Sequence, residues 1–359
     1  MSATIALVHV EAGLGPLVIA RRLQAELASS GHCSSVISLR ELIPAWLHNR
    51  LLDRYRSDCQ RQQDNLSLWF RQPWRFRLLY RLLGVLHWPT PKARQALSQV
   101  SVAVATSYLA AFFLLHLRSR LGLRYRVVGV LGDYCTSPGW RIEVDALITA
   151  QRLNNATLDW LGARNVPLLP LGIPLEHTPA TPRPSPGHLL VCGGGWGLGS
   201  AYDCLEPALA HPAVTRVTAL CGDNPGLLET LAQRHAQAVQ SGRLQLHTTQ
   251  SGLTPLYAQA WAIITKPGGL TLSEAAQNGC PLLLAPPITE HERCNAAHFL
   301  DNDAALDVTS PEQLNQALDS LPSRGVHLSR NARALIATNA TQTISTYLLS
   351  MEKRSDVDH

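Results

Sequence analysis

Short apolar runs rich in Val, Ile, Leu and Ala recur along the chain. Each is followed by a glycine-bearing or polar turn and then by sequence with a helical period. This alternation constrains the fold most tightly. A strand that is apolar on both faces must be covered on both, and helices on either side of a parallel sheet do that. The first series opens with the run Ile5–Val10, a turn over Glu11–Gly15 and a helix from Leu17 to about Ser29 that Gly31 ends. Further strands are expected at Ser34–Leu39, Val100–Thr106, Tyr125–Leu131 and Ala146–Thr149, with a helix after the last that ends before Val166. Pro167 to Gly187 holds seven prolines and neither period, which predicts a linker. A second series follows, with strands expected at His188–Cys192, Val214–Leu220, Leu244–Thr248, Ala262–Thr265, Pro281–Ala285 and Ala305–Val308.

The expected organisation is an α/β chain of two Rossmann-like, doubly wound domains. Residues 1–166 form the first, 167–187 a linker and 188–350 the second. A chain of 359 residues suits two cores of this size. Ligands in such folds sit in crevices at the carboxyl ends of the strands, so a cleft between the two domains is the expected site. No apolar run reaches the roughly 18 residues that a membrane-spanning helix needs, and the start lacks the basic region and cleavage site of a signal peptide. The eight cysteines are scattered without a Cys-x-x-Cys pair, which suits reduced thiols in a cytosolic compartment, and no Cys/His cluster has zinc spacing. No metal is expected.

Charge is unevenly placed. Residues 41–95 hold ten Lys/Arg against four Asp/Glu, a balance of +6, so the rest of the chain, with a total of +5, carries −1. Trp46, Trp69, Trp74 and Trp88 lie in this segment, among Arg71, Arg75, Arg77 and other arginines. Tryptophan and arginine around Leu-Leu pairs suit the surface of an anionic membrane. The same pattern also describes a helical hairpin with its aromatics in the core and its arginines solvated. Basic aromatic stretches bind RNA too, but nothing else here points that way.

Three glycine- and acid-bearing stretches carry the chemistry. Gly193-Gly194-Gly195-Trp196-Gly197-Leu198-Gly199-Ser200 follows a strand and leads into a helix, so backbone N–H groups and a helix N-terminus can meet an anion. The alternative is a bare strand-to-helix turn. Leu198 stands where the dinucleotide fingerprint needs a third glycine, which disfavours a nicotinamide cofactor although Asp223 follows the next strand. In Thr265-Lys266-Pro267-Gly268-Gly269-Leu270-Thr271-Leu272-Ser273-Glu274 a strand ends at Thr265 and a helix is expected to start at Thr271. Glu274 is then either an acceptor for ribose hydroxyls or the capping-box acid answering Thr271. Glu290-His291-Glu292-Arg293-Cys294-Asn295 offers acidic and amide groups for sugar hydroxyls, or is a solvated helix start. Asp301-Asn302-Asp303 reads as a loop.

These stretches resemble the family of monogalactosyldiacylglycerol synthases and bacterial processive diacylglycerol glucosyltransferases, glycosyltransferase family 28-like. The likeness covers roughly 4–30 and 128–320 and is strongest over 188–300. It implies a GT-B fold and metal-free, inverting transfer of a hexose from a nucleotide sugar, a UDP-sugar, to a lipid hydroxyl such as that of diacylglycerol. It also implies a chain held peripherally at the inner face of the cell membrane. By that resemblance Gly193, Gly194, Gly195, Trp196 and Gly197 contact the diphosphate. Glu274 binds the ribose within a donor stretch that runs from Thr265 and Lys266 through Gly268, Gly269, Leu270 and Thr271. His291, Glu292 and Asn295 meet the transferred sugar. On the acceptor side, Glu11 falls at the acid of a glycine-rich turn with Gly13 and Gly15, but Pro16 replaces the family histidine. Asp133 and Trp140 match a second acceptor segment that again lacks its histidine. Glu11 is the first candidate base and Asp133 the second. A soluble acceptor, a sugar-nucleotide epimerase and a non-catalytic binding protein stay open as alternatives.

Overall fold

A computed structural model describes residues 4–60, 73–86, 89–153, 166–176, 181, 183–248 and 252–357. The chain forms two compact units, Met1–His177 with Ala337–His359, and Thr178–Ile336.

The first unit contains β1 (Ile5–His9), β2 (Ser34–Ser38), β3 (Val102–Ala105), β4 (Arg126–Val130), β5 (Ala146–Ile148) and β6 (Leu168–Leu169). They form one parallel sheet in the order β2-β1-β3-β4-β5-β6. β1 and β3 are buried throughout, which is why they read as continuous apolar runs. One face of the sheet, with Ile5, Leu7, Val102, Val104 and Val128, packs against Ile19 and Leu23 of the helix Gly15–Ser29 and Ile344 and Leu348 of the helix Ala340–Val357. Each such buried aliphatic side chain contributes about 1.5–3 kcal/mol.

Two expected boundaries are therefore corrected. β6 lies inside the supposed linker, because Leu147 and Ile148 of β5 offer ladder partners to Leu168 and Leu169. The final helix belongs to the first unit, not to the second, because it covers apolar sheet surface left by the helix Gly15–Ser29. The helix expected before Val166 lies outside the described residues.

The second unit contains β7 (His188–Cys192), β8 (Arg216–Leu220), β9 (Leu244–His247), β10 (Ala262–Thr265), β11 (Leu282–Leu284) and β12 (Ala305–Asp307). All are parallel, in the order β12-β11-β10-β7-β8-β9. The chain builds outward from β7 to β9 and then returns to the other side of β7 with β10. The loops after β7 and β10 therefore flank the reversal of strand order, the place where doubly wound sheets bind ligands. Asp303 is a turn residue at φ 48°, its carboxylate engaged by Arg324 and His327 at 2.6 and 2.7 Å, as the loop reading expects.

Candidate functional site

The glycine-rich loop after β7 is a packed turn. Gly194, Gly197 and Gly199 hold φ of 75°, 59° and 105°, where L-residues are strained. A Cβ on Gly197 would lie 2.0 Å from the Cys221 carbonyl oxygen, so the loop fits against the end of β8 only without a side chain there. The Gly193 N–H donates to the Tyr202 hydroxyl (3.0 Å), which itself donates to the Leu220 carbonyl (2.6 Å). That N–H is thus engaged within the protein. Trp196 is half-buried in the same loop.

After β10 the helix Gly269–Gln277 begins two residues earlier than expected. Its N-cap is Gly268, with no side-chain cap. Thr271 sits inside the first turn, so the capping-box explanation of Glu274 fails. The first N–H groups of this helix have no side-chain cap among the described residues, and they carry the helix's positive end at the carboxyl edge of the sheet. Glu274 is half-buried and accepts from the phenol of Tyr257 at 2.9 Å. Burial and the Glu274 carboxylate push that phenol well above its ordinary pKa, so it stays a donor that fixes the carboxylate.

Lys266 crosses the mouth of the glycine-rich loop. A Cβ on Gly194 would lie 2.9 Å from its Cε, and its Nζ meets Glu292 Oε1 at 2.7 Å. The other oxygen of Glu292 accepts from the Ile288 (2.7 Å) and Thr289 (3.3 Å) N–H groups. Thr289 caps the helix Glu290–Leu300, and Glu292 completes the capping box. Burial pushes the Glu292 carboxyl up, but Lys266 and the two N–H groups outweigh it and hold the group below the ordinary carboxylate range. Both oxygens are therefore occupied, and Glu292 joins the loop, the lysine and the helix start.

Other residues assigned to the donor stretch turn out to be internal. Thr265 is fully buried, its hydroxyl on the Cys192 carbonyl at 2.9 Å, and ties β10 to β7. Asn295 is fully buried and its amide donates to the Pro267 carbonyl at 3.0 Å, which shapes the Lys266–Gly268 turn. His291 and Leu270 are half-buried, as is Gly268, whereas Gly269 is buried.

In the first unit Glu11 is exposed just after β1 and accepts from Ser38 Oγ at 3.1 Å. Gly13 holds φ 81° in that turn, and Gly15 and Pro16 open the helix. A proline in a first helical turn lacks only an N–H that would be orphaned there. Asp133 is half-buried in the loop after β4. Trp140 is corrected from acceptor contact to core: it is buried, and a Cβ on Gly129 of β4 would lie 2.5 Å from its ring. His9, at the end of β1, went unnoticed in the sequence. It is buried, its Nδ1 has no hydrogen-bond partner among the described residues, and burial holds its pKa below the ordinary value. The one available signal was a polar residue closing an otherwise apolar strand.

The basic segment divides between its two readings. Tyr80 faces inward, stacked on Phe112 at 4.2 Å with its hydroxyl on the Gly139 carbonyl. Trp74 faces outward at 57% exposure with the Arg75 guanidinium 5.4 Å from its ring. Trp69 and Arg71 lie outside the described residues, as does the side chain of Arg77. Among the described residues no helix is long and apolar enough to cross a membrane.

No protein-family model matches the chain. A processive diacylglycerol beta-glucosyltransferase of Bacillus subtilis (strain 168) is 28% identical over 243 residues, 63% of this chain and 63% of the relative. The chain thus matches just under two thirds of that relative's length. In structure it resembles Acinetobacter baumannii MurG, with a TM-score of 0.61, 18% identity and coverage of 97% of this chain and 99% of that one. CalG4, the calicheamicin glycosyltransferase, gives a TM-score of 0.58 at 14% identity over 99% of each chain. The fold is accordingly that of the GT-B glycosyltransferases, as expected.

Proposed function

We propose that this chain, whose sequence relatives are processive diacylglycerol glucosyltransferases, is itself a glycosyltransferase that moves a hexose from a UDP-sugar to a lipid hydroxyl such as that of diacylglycerol. The observation that carries the donor half is the pairing of two loops at the strand-order reversal: the glycine-rich turn after β7 and the uncapped helix start at Gly268, with Glu274 one turn in. Direct displacement at the anomeric carbon inverts it and puts charge on the departing diphosphate. Helix and loop N–H groups supply the compensating potential, and the proposal assigns no metal to that task. Lys266 already serves Glu292 and adds less than a lone ammonium would. Glu11, or Asp133 in its place, takes the acceptor's proton.

Replacing Glu274 with alanine is expected to weaken UDP binding ten- to a hundredfold, the loss of about 1.5–3 kcal/mol from one charged hydrogen-bonding partner. Tyr257→Phe, which frees the carboxylate without removing it, is expected to cost less. Calorimetric titration with UDP measures both, and unchanged affinity in Glu274→Ala removes the ribose assignment.

Peripheral membrane contact is supported by the helix Pro73–Leu86. Trp74, Leu78, Leu82 and Val85 are all exposed at helical spacing, while Leu83 on the opposite side is buried. Arg75 and Arg81 accompany the stripe, and cations beside exposed apolar residues favour an anionic bilayer. Leu78→Ser with Leu82→Ser should reduce co-sedimentation with anionic vesicles at least tenfold. Folding stability should change by no more than about 0.5 kcal/mol per site, since both side chains are exposed. Undiminished sedimentation would place the membrane contact elsewhere.

A further inference from the structure

The N-terminal edge of the second sheet carries a separate cavity of about 380 Å³, lined by His188, Thr215, Arg216, Ser241 and Arg243 among others. β7 and β8 start side by side at His188 and Arg216, and Arg243 immediately precedes β9. The donor loops leave the opposite ends of these strands, about 17 Å away for a five-residue strand.

Two arginines line this cavity, and it holds no acidic residue. Among the described residues neither Arg216 nor Arg243 has a carboxylate within ion-pair distance. Arg216 instead donates to His188 Nδ1 at 3.1 Å, and Arg243 donates to the Leu209 and Val214 carbonyls at 2.7 and 3.2 Å. His188 is buried, and its Nε2 is 2.9 Å from the Thr218 hydroxyl. Burial and Arg216 push its imidazole down to about 4, so it is a neutral acceptor that orients the guanidinium. The carbonyls orient the second guanidinium in the same way. Arg216 is half-buried and Arg243 is exposed; cations with no carboxylate partner attract an anion, and guanidinium forks suit the oxygens of phosphate.

We infer that this cavity binds a phosphate monoester, with Arg216 and Arg243 holding the dianion. The depression is open to solvent and larger than a bare phosphate, which leaves room for the organic group of a monoester, either a free metabolite or a lipid headgroup. Occupation would put negative charge next to Arg216 and raise the His188 pKa.

The test uses the full chain saturated with UDP, so that donor-site binding cannot contribute. Glycerol phosphate and inorganic phosphate are titrated by calorimetry. Vesicles containing phosphatidic acid are compared with phosphatidylcholine vesicles by sedimentation. The expected result is binding of glycerol phosphate that Arg216→Gln with Arg243→Gln weakens at least tenfold. Preferential retention on phosphatidic acid vesicles, lost in the same double variant, would identify the headgroup as the source. NMR of the wild-type His188 ring supplies a readout independent of how the variant folds, and its titration midpoint should rise on adding glycerol phosphate. An unmoved midpoint, equal affinity in the double variant, or no binding by any of the three probes overturns the inference. None of these outcomes bears on the donor site, which rests on other residues.

Discussion

Gly197→Ala is expected to lower the stability of the second unit by about 3 kcal/mol and to weaken UDP binding at least tenfold. Two costs combine. An alanine at φ 59° costs about 1 kcal/mol relative to glycine, and a methyl group 2.0 Å from the Cys221 carbonyl must push backbone aside, at about 2 kcal/mol. Gly222 faces the same turn from the other side, where a Cβ would lie within 2.7 Å of Gly194, Gly195 and Gly197 backbone atoms, so neither strand end has room to give. Gly242→Ala is the control. It has φ 73° but open space around it, and should cost only the first term, about 1 kcal/mol. Thermal melts of the two variants separate the clash from the dihedral penalty. Equal losses would mean that the turn is looser than its packing implies.

The second large effect is expected at the Lys266–Glu292 pair. Lys266→Met leaves a carboxylate that is 8% exposed without its ammonium. Removing one partner of a buried pair costs about 3–5 kcal/mol, and the partial exposure of Lys266 places this case near about 3. Glu292→Gln added to Lys266→Met should recover part of the loss, because it removes the stranded charge. The pH dependence has a definite sign. With Lys266 present the folded-state pKa of Glu292 lies below its unfolded value near 4.5, so the pair's contribution is complete above that value and disappears as pH falls through the depressed one. Without Lys266, burial is opposed only by the two backbone N–H groups, so the carboxyl pKa rises and the deficit of the variant shrinks toward acid pH. Urea melts of both proteins at neutral and acid pH measure this. A deficit that stays constant with pH would show that Lys266 stabilises by packing and not by charge.

Where the chain forms parallel strands, its architecture was legible, because strands such as Ala262–Thr265 are buried on both faces and leave an uninterrupted apolar run. Leu168–Leu169 was not legible. Two residues among prolines carry no period, and only pairing with β5 makes them a strand. Nor does an amphipathic pattern say which sheet a helix covers, so the return of Ala340–Val357 to the first unit could not be read from its residues.

The proposed donor site shows a similar division. Thr-x-x-Glu occurs twice there, at Thr271–Glu274 and Thr289–Glu292, and only the second is a capping box. Gly268 starts the first helix early enough to leave Glu274 to Tyr257. The spacing alone treats the two alike. Asn295 and Thr265 have polar side chains next to a site, and what turns them inward is a carbonyl on a neighbouring segment that no local pattern reveals. Trp140 failed for the converse reason: Gly129, eleven positions upstream, makes the room that draws the ring into the core.

The central claim is transfer of a sugar to a lipid, and one assay addresses it directly. The full chain is incubated with a panel of labelled UDP-sugars and anionic liposomes, with and without diacylglycerol. The account predicts label in the organic phase, dependent on diacylglycerol and strongly reduced in Glu274→Ala. Label that appears only in a water-soluble product, or UDP binding without transfer to any acceptor, would contradict it.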